Sequence, residues 1–412
     1  MAQDRQTLKT LVGALTSRIR QFSRVGLTYE GHRDLYKTLG YQRHLEFEDY
    51  WQRYFRGGIA ARVVDAFPNA TWRYHPIIKS NSEQFNEAWA EMVNRLKIYH
   101  YLERVDRISG IGHYGALYIG TKGAGSTDRP IGKVKNEEDV IFLAPYSEGH
   151  ADIHDFVKDP SNPRFGFPES YNIKPVVETD DTRFSIPEFK AHHSRVLHIA
   201  ENLIEDEILG VPRQKRVWNY LDDLDKIMGG TAEAVWRTVD RGIQFDLDKD
   251  AELDPEDATS MENDIDAFVH GFQRYIKTQG VNANVLGSEV PDPSGAFAMV
   301  VALISGTTAI PQRVLTGSEQ GQLASNQDER NFHARVKERQ NSYVEPKIIR
   351  PFIDKMMEIG ALPEIEYSIE WPDPSTLTRR EMSDVAARVA QAVANASKQE
   401  GMTEPIMDGQ EF

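Results

Sequence analysis

The sequence predicts an α+β fold, and three observations support this class. Several long segments carry apolar residues three and four positions apart, as amphipathic helices do. Between residues 115 and 200, short apolar runs alternate with turn-rich stretches, which is typical of strands. The hydrophobic fraction is 40% and the mean hydropathy is −0.53 over 412 residues, which allows real cores but is lean for one large globule.

Helical periodicity is clearest near the start of the chain. A helix is expected over residues 46–67, where Gly57-Gly58 interrupts it and Pro68 ends it. Another is expected over 82–96, with Ser82 as its N-cap. The same pattern predicts further helices over 98–111, 214–240, 258–278, 295–305, 326–345 and 378–399, and the helix at 326–345 is expected to continue past two prolines to 359.

Strands are expected between the early and the late helices. Val, Ile, Leu and aromatic residues are concentrated in short runs bounded by Gly, Pro, Ser and Asp. These runs predict strands over residues 115–120, 139–145, 171–177 and 194–200, and a short strand at 281–286. Residues 1–45 look irregular and basic, and no internal repeat is present.

The composition excludes several kinds of chemistry. The chain has no cysteine, so it contains no disulfide, thiolate metal site or thiol nucleophile. The N-terminus lacks the apolar stretch of a signal peptide, and no run of roughly eighteen apolar residues predicts a membrane span. We therefore expect no membrane partner.

The net charge of −15 is distributed unevenly. Residues 201–300 carry 21 acidic and 9 basic side chains, whereas residues 1–60 carry 6 acidic and 10 basic ones. An acidic middle opposes tight nucleic-acid binding, which depends on neutralising phosphates. It is compatible with loose passage of DNA, because an acidic wall repels a polyanion. From composition alone, ordinary solubility charge is the simpler explanation.

One glycine pattern matches a dinucleotide-binding motif in the wrong context. Gly110, Gly112 and Gly115 fit G-x-G-x-x-G. In that motif a strand precedes the glycines and a helix follows, so that phosphate meets the helix N-terminus. Here the predicted helix comes first and the strand second. We expect a helix-to-strand turn and no cofactor.

A calcium loop is the alternative interpretation of one acidic segment. Asp246, Asp248, Asp250 and Asp257 fall at loop positions 1, 3, 5 and 12 between two predicted helices, as in an EF-hand. Position 6 is Ala251, where glycine normally permits a sharp turn, and an aspartate at position 12 is short for bidentate binding. We expect a solvated acidic loop and no metal site.

The histidines do not form a recognisable metal or catalytic site. His192 and His193 would point to opposite faces of a strand, so they cannot easily share one ion, and His198 is further along the same strand. A two-histidine phosphodiesterase needs two His-x-Ser/Thr units, and only His192-His193-Ser194 fits. No phosphate-binding loop or Ser/His/Asp arrangement is present. We do not expect an enzyme.

A cluster of aromatic residues near the N-terminus can be interpreted as a nucleic-acid-binding surface or as a packed helix face. The cluster is interleaved with arginines, as on a base-stacking platform. Its helical spacing is more simply that of a packed helix face, in a core or at a subunit interface. The aromatic residues are Tyr41, Phe47, Tyr50, Trp51, Tyr54 and Phe55.

Four blocks of sequence stand out together. They read YWQRYFRGGIAARVVDAFPNATWRY at 50–74, RVDRISGIGHYGALYIG at 104–120, PRFGFPESYNI with HHSRVLHIAE at 163–173 and 192–201, and IPQRVLTGSEQGQLASNQDERNFHARVKERQ at 310–340. In this order and spacing they resemble the portal proteins of tailed bacteriophages, over most of residues 45–355. Each block alone is weakly specific.

The resemblance implies a subunit with wing, helical stem, clip, long tunnel-loop helix and small helical crown, assembled as a ring. In a ring, the apolar stripes of a lean chain are buried against neighbouring copies. The implied parts are a wing at 1–213 that returns at 361–375, stem helices at 214–240 and 293–308, a clip at 241–292, the tunnel loop and long wing helix at 309–360, and a short crown with the C-terminal tail at 376–412.

The resemblance also implies a function and partners. The ring, usually of twelve copies, would occupy one capsid vertex and be the channel for packaging and ejecting double-stranded DNA. Expected partners are sister copies, the major capsid protein, the terminase large subunit, the head–tail adaptor and DNA without sequence specificity. The chain would pass from the host cytoplasm into the virion and need no cofactor. A phage nuclease or phosphodiesterase is the alternative.

Two sets of residues are expected along the DNA path. The tunnel loop is neutral apart from one glutamate and would lubricate DNA more than grip it. Its residues are Ser318, Glu319, Gln320, Gly321, Gln322, Leu323, Ser325 and Asn326. The acidic clip or channel residues are Asp246, Asp248, Asp250, Glu252, Asp254, Glu256 and Asp257.

Overall fold

The structure is a computed structural model with mixed helices and sheets, which confirms the α+β class. It describes residues 34–123, 125–178, 183–239, 243–247, 281–285, 292–317 and 322–372, together with positions 259, 260, 263 and 265. Contacts divide the chain into a first unit, Met1–Trp218 with Ser305–Phe412, and a second unit, Asn219–Ile304. The assignment of ranges to wing, stem, clip and crown stays a prediction.

Helices occur in both units. In chain order they are α1 (Leu35–Leu39), α2 (Phe47–Arg56), α3 (Gly58–Thr71), α4 (Glu83–Leu96), α5 (Ile98–Ile111), α6 (Trp218–Val239), α7 (Ser294–Thr308), α8 (Gln312–Thr316), α9 (Gln322–Arg339) and α10 (Arg350–Glu358). A π-helical stretch, Gln340–Ile349, joins α9 to α10. The predicted helices at 258–278 and 378–399 lie mostly or wholly outside the described residues.

The strands within the described ranges are short and pair in five small sheets. They are β1 (Ile77–Ser80), β2 (Gly115–Thr121), β3 (Val140–Ser147), β4 (Ala151–Phe156), β5 (Pro168–Ile173), β6 (Val176–Glu178), β7 (Arg183–Ser185), β8 (Phe189–His192), β9 (Val196–Ile199), β10 (Ile243–Leu247), β11 (Val281–Val285) and β12 (Tyr367–Glu370). The sheets have the orders β3-β2-β9, β4-β5-β8, β1-β12, β6-β7 and β10-β11, and every pair is antiparallel.

Helices α2 and α3 follow the predicted pattern with one exception. Gly57 separates α2 from α3, as expected, and Phe47, Trp51 and Tyr54 pack around Tyr50, which is fully buried, whereas Phe55 is exposed. The predicted stop at Pro68 is wrong, because α3 continues to Thr71. The Pro68 carbonyl still accepts a hydrogen bond from the Trp72 N–H at 2.9 Å, so the turn after the proline closes normally.

Strand β2 is the centre of the first unit because both of its faces are covered. Leu117 and Ile119 point to one side and pack with α4, α5 and α10. Ala116 and Tyr118 alternate with them and pack against residues of the β4-β5-β8 sheet. The first unit therefore contains a helix layer, a sheet and a second sheet.

The strand predictions were right in the centre of the first unit and incomplete at its margin. Strands β2 and β3 confirm the segments 115–120 and 139–145. The segment 171–177 is divided between β5 and β6, and the segment 194–200 shortens to β9 after a 3₁₀ turn, His193–Arg195. Five strands of the first unit were not predicted, namely β1, β4, β7, β8 and β12.

The described strands of the second unit form one antiparallel pair. Strand β11 confirms the predicted strand near 281, and β10 pairs with it so that Asp246 lies opposite Asn282. A calcium loop starting at Asp246 requires a helix directly before it. A strand occupies that position, so the helix–loop–helix arrangement considered for this segment is wrong.

Candidate functional site

The chain makes a tight turn before the predicted tunnel loop. Helix α7 ends at Thr308, and Ala309 has φ of 57°, a left-handed conformation that is unfavourable for a residue with a Cβ. The Ser305 hydroxyl donates to the Ile310 carbonyl at 2.7 Å and closes the turn. Pro311 then precedes α8, which ends at Gly317 with φ of 73°. The path into the predicted loop is thus held on its N-terminal side.

The predicted tunnel loop is longer than the structure allows. Helix α9 begins at Gln322, so the positions expected in the second half of the loop are helical, namely Gln322, Leu323, Ser325 and Asn326. The segment contains Leu and Ala, which favour helix, and it follows directly on a glycine. Ser318, Glu319, Gln320 and Gly321 lie outside the described residues.

The predicted acidic clip is described at one position only. Asp246 lies in β10. The remaining members of the set, Asp248, Asp250, Glu252, Asp254, Glu256 and Asp257, lie outside the described residues. Their role in a channel stays a prediction.

A buried ionic network holds the C-terminal end of α9 to the centre of the first unit. Arg339, the last residue of α9, donates from Nη1 and Nη2 to the Asp106 carboxylate at 3.0 and 2.5 Å and from Nε to Glu201 at 2.7 Å. Arg213 donates from Nη2 to Asp106 at 3.2 Å and from Nε to Glu201 at 2.7 Å. The Trp72 indole N–H adds a bond to Asp106 at 2.7 Å. We call Asp106, Glu201, Arg213 and Arg339 the ionic network.

The ionic network is balanced, with two carboxylates and two guanidinium groups. Burial alone would raise the pKa of Asp106, but Arg339 and Arg213 outweigh it and hold that pKa below its ordinary value. Burial likewise opposes ionisation of Glu201, and Arg213 and Arg339 again lower its pKa. All four groups are therefore charged at neutral pH. Removing any one leaves its partners buried and uncompensated.

The glycine pattern near residue 110 belongs to this network. Helix α5 ends at Ile111 and β2 starts at Gly115, which confirms the expected helix-to-strand turn. A Cβ on Gly110 would lie 2.4 Å from the Arg213 guanidinium carbon. A side chain at position 110 would therefore clash with the Arg213 side chain in its observed position. Sequence reasoning missed the ionic network itself. Its one local signal is Asp106, a charged residue on the apolar face of α5.

The rings of His192 and His193 lie close together, and His198 has hydrogen-bond partners within the protein. The strand ends at His192, so His193 is in a turn and the two rings are 4.3 Å apart, and the expectation that they point to opposite faces is wrong. His198 donates from Nε2 to the Ile208 carbonyl at 2.8 Å, which leaves Nδ1 to accept from the Tyr171 hydroxyl at 3.1 Å. Within the described residues no group of three or more His, Asp and Glu side chains could hold a metal ion.

These histidines predict a loss of stability in mild acid. Burial, followed by repulsion from Arg164, His192 and Lys355, lowers the pKa of His193 to about 3. The unfolded chain binds a proton there below about pH 6.5 and the folded chain does not, so the free energy of unfolding falls as pH falls through that value. The pKa values of His192 and His198 are also lowered, chiefly by burial, and act in the same direction.

Urea unfolding of the wild type and of His193→Phe at pH 7.5 and pH 5.5 tests this. The variant should lose less stability between the two pH values than the wild type. The quantity compared is the difference in the free energy of unfolding between the two pH values. A packing effect of phenylalanine is the same at both pH values, so it cancels in this difference. Equal losses in both proteins would contradict the prediction.

Apolar side chains are exposed on the two long helices of the second unit. On α6, Trp236 is 76% exposed and Met228 is 59% exposed. On α7, Met299 is 62% exposed and Leu303 is 45% exposed. Large exposed apolar side chains that recur on neighbouring turns mark sites where proteins meet. None of the helices in the described ranges is long and apolar enough to cross a membrane.

The first unit thus combines layers of helices and sheets with a long helix anchored by buried charges, and the second unit exposes apolar side chains on its helices. The sequence model of the family described as Phage portal protein matches residues 49–395. The chain belongs to this family, whose members are structural proteins and not enzymes. The resemblance found in the four sequence blocks is thereby confirmed.

Two solved structures share the fold at low identity. The neck of a native gene transfer agent particle, computed with C12 symmetry, contains a chain with a TM-score of 0.50 and 10% identity, covering 88% of this chain and 91% of that one. A chain in the neck of an empty particle, computed with C6 symmetry, gives a TM-score of 0.50 and 12% identity, and the match covers 88% of this chain and 92% of that one. An HK97 family phage portal protein from Corynebacterium diphtheriae gives a TM-score of 0.40 and 10% identity, and the match covers 80% of this chain and 97% of that one. No curated protein matches the chain.

Proposed function

We propose that this chain is a portal subunit that assembles as a ring at one capsid vertex. The observation that carries the proposal is membership of the phage portal family over residues 49–395. The similar fold in a particle neck computed with C12 symmetry supports a ring of twelve copies. The virion is then its final location, after assembly in the host cytoplasm.

The surface of the second unit supports a ring as well. Trp236 and Met299 are exposed in the single chain, and a sister copy would cover them. The net charge is −15 per chain, so twelve copies would carry roughly −180. Acidic residues along a channel let DNA pass without adhering, because phosphate affinity grows with the number of phosphates neutralised.

The proposed work of the ring is conduction and docking. Double-stranded DNA would enter and leave through the centre past Ser318–Gly321 and the acidic segment near Asp246. The terminase large subunit, a separate chain that hydrolyses ATP, would dock during packaging, and the head–tail adaptor would bind afterwards. The major capsid protein would surround the ring.

Mass measurement on the purified protein tests the ring directly. Native mass spectrometry or analytical ultracentrifugation should find a closed oligomer at micromolar concentration, and electron micrographs should show a ring with a central hole. A stable monomer across that concentration range would overturn the proposed function.

Trp236→Glu should weaken ring assembly strongly. Covering a large apolar side chain contributes about 1.5–3 kcal/mol at each interface, and a closed ring repeats the interface once per subunit. The measurement is the fraction of subunits in rings against protein concentration. Trp236→Phe is the matched control, because it keeps an apolar ring at the same position and should assemble. Normal assembly of Trp236→Glu would place Trp236 outside the interface.

A further inference from the structure

A cleft in the first unit lies beside the ionic network. Its volume is about 380 Å³. Val63, Phe67, Pro212 and Ile310 contribute apolar walls, and the Arg213 and Arg339 side chains lie at its base. Such a volume accommodates a few side chains or a small ligand but not a nucleic-acid duplex.

The rim of the cleft carries positive charge that the described part of the chain does not neutralise. Arg213 and Arg339 are paired with Asp106 and Glu201, so the base is balanced. Arg216 and Arg335 also line the cleft, and neither has a hydrogen bond or ion pair within the described part of the chain.

One carboxylate, Glu338, opposes the two rim arginines among the described lining residues, so an excess of positive charge remains. That excess is unusual in a protein with a net charge of −15.

Two backbone positions beside the cleft are strained. Asn202 and Ala309 both have φ of 57°, and only three non-glycine residues of the described chain have positive φ. Both residues line the cleft. Unfavourable backbone conformations persist where the surrounding structure imposes them, and they concentrate at binding sites. The backbone conformation of these two residues is an observation separate from the positive charge of the rim, and both observations indicate a binding site at the cleft.

We propose that this cleft receives a carboxylate-bearing segment of a neighbouring copy of the chain. The inference rests on the proposed ring, which brings a second copy to each subunit through a head-to-tail contact. The two rim arginines bind carboxylates through paired N–H donors, and the walls accept the aliphatic part of the same segment. A sister copy offers suitable charge, because the chain has 63 acidic and 48 basic side chains.

Carbodiimide coupling tests the contact at one position. Arg335→Lys introduces a primary amine at the rim, and a zero-length carbodiimide joins an amine to a carboxylate that touches it. Rings of this variant should give covalent subunit pairs above the wild-type background, with position 335 linked to an Asp or Glu of another copy by mass spectrometry. Arg330→Lys is the matched control: Arg330 is exposed on the same helix, does not line the cleft, and should stay at background.

Charge reversal gives a second measurement. Arg216→Glu and Arg335→Glu should each lower the salt concentration at which rings dissociate and raise the dissociated fraction about tenfold, the effect of a 1.4 kcal/mol change in contact energy. Arg330→Glu should not. Both rim residues are exposed and have no partner in the described part of the chain, so the reversed subunits should fold with an unchanged circular dichroism spectrum.

The outcomes separate the two proposals. Wild-type rings with no extra covalent pairs in Arg335→Lys, and with unchanged dissociation in both Glu variants, would overturn the cleft contact and leave the ring intact. Binding of inorganic phosphate by wild-type rings, lost in Arg335→Glu while dissociation is unchanged, would also overturn it in favour of a small anion. A monomeric wild type would instead remove the proposed function.

Discussion

Replacing Asp106 with alanine should lower the free energy of unfolding by about 3–5 kcal/mol. Asp106 is fully buried and accepts from Arg339, Arg213 and Trp72. Without it, two guanidinium groups lie beside Glu201 alone, and their desolvation is no longer offset. Urea unfolding monitored by tryptophan fluorescence measures the loss, and the expected change is a lower midpoint.

A surface aspartate is the control for this substitution. Asp155 pairs with Lys158 at 2.9 Å on the exposed surface, so Asp155→Ala should leave the free energy of unfolding almost unchanged. Asp106→Asn keeps the shape and removes the charge, which separates packing from electrostatics. Similar midpoints for Asp106→Ala and Asp155→Ala would show that the ionic network does not stabilise the fold.

Deleting Ser318–Gly321 should leave rings intact and abolish most DNA packaging. The deletion removes the proposed tunnel loop, while the anchoring turn at Ala309 and the ionic network at Arg339 remain. Particles assembled with the shortened subunit should be mostly empty of DNA, whereas purified subunits should form rings of normal mass. The DNA content of particles and the subunit count of rings are the two measurements.

A length-preserving variant is the control for the deletion. Replacing Ser318, Glu319 and Gln320 with glycine keeps the spacing between α8 and α9 and should retain more packaging than the deletion, since lubrication requires a loop and not particular side chains. Failure of the deleted subunit to form rings would mean that these residues belong to an interface and not to the channel.

The parts of the fold that the sequence predicted are those where one periodicity is continuous. Helices α4 and α5 have apolar residues at helical spacing and a clear start at Ser82 or Ile98. Strands β2 and β3 are buried runs bounded by turns. Here local propensity and burial agree, so short-range reasoning is sufficient.

The missed elements depend on partners distant in the sequence. Strand β4 reads ADIHDF and β8 reads FKAH, and neither has a run of apolar residues that distinguishes it from a loop. They form because β5 lies between them. The π-helical stretch around Pro346 and the start of α9 at Gln322 were missed for a different reason, because hydrophobic periodicity does not report local backbone geometry.

The candidate site was recovered only in part for the same reason. The four blocks indicated the family, and the segment 310–340 indicated the turn and long helix. The ionic network joins Asp106 with Glu201, Arg213 and Arg339, residues up to 233 positions apart. No spacing rule connects them, since the fold alone brings them together.

The pairing of β1 with β12 has a consequence for how the protein is made. Ile77 lies opposite Glu370, so β1 can pair only after β12 has been translated, nearly three hundred residues later. At bacterial elongation rates of about 5–20 residues per second, the first strand emerges from the ribosome tens of seconds before its partner. During that interval its edge is unpaired, and a chain truncated before Tyr367 never closes it.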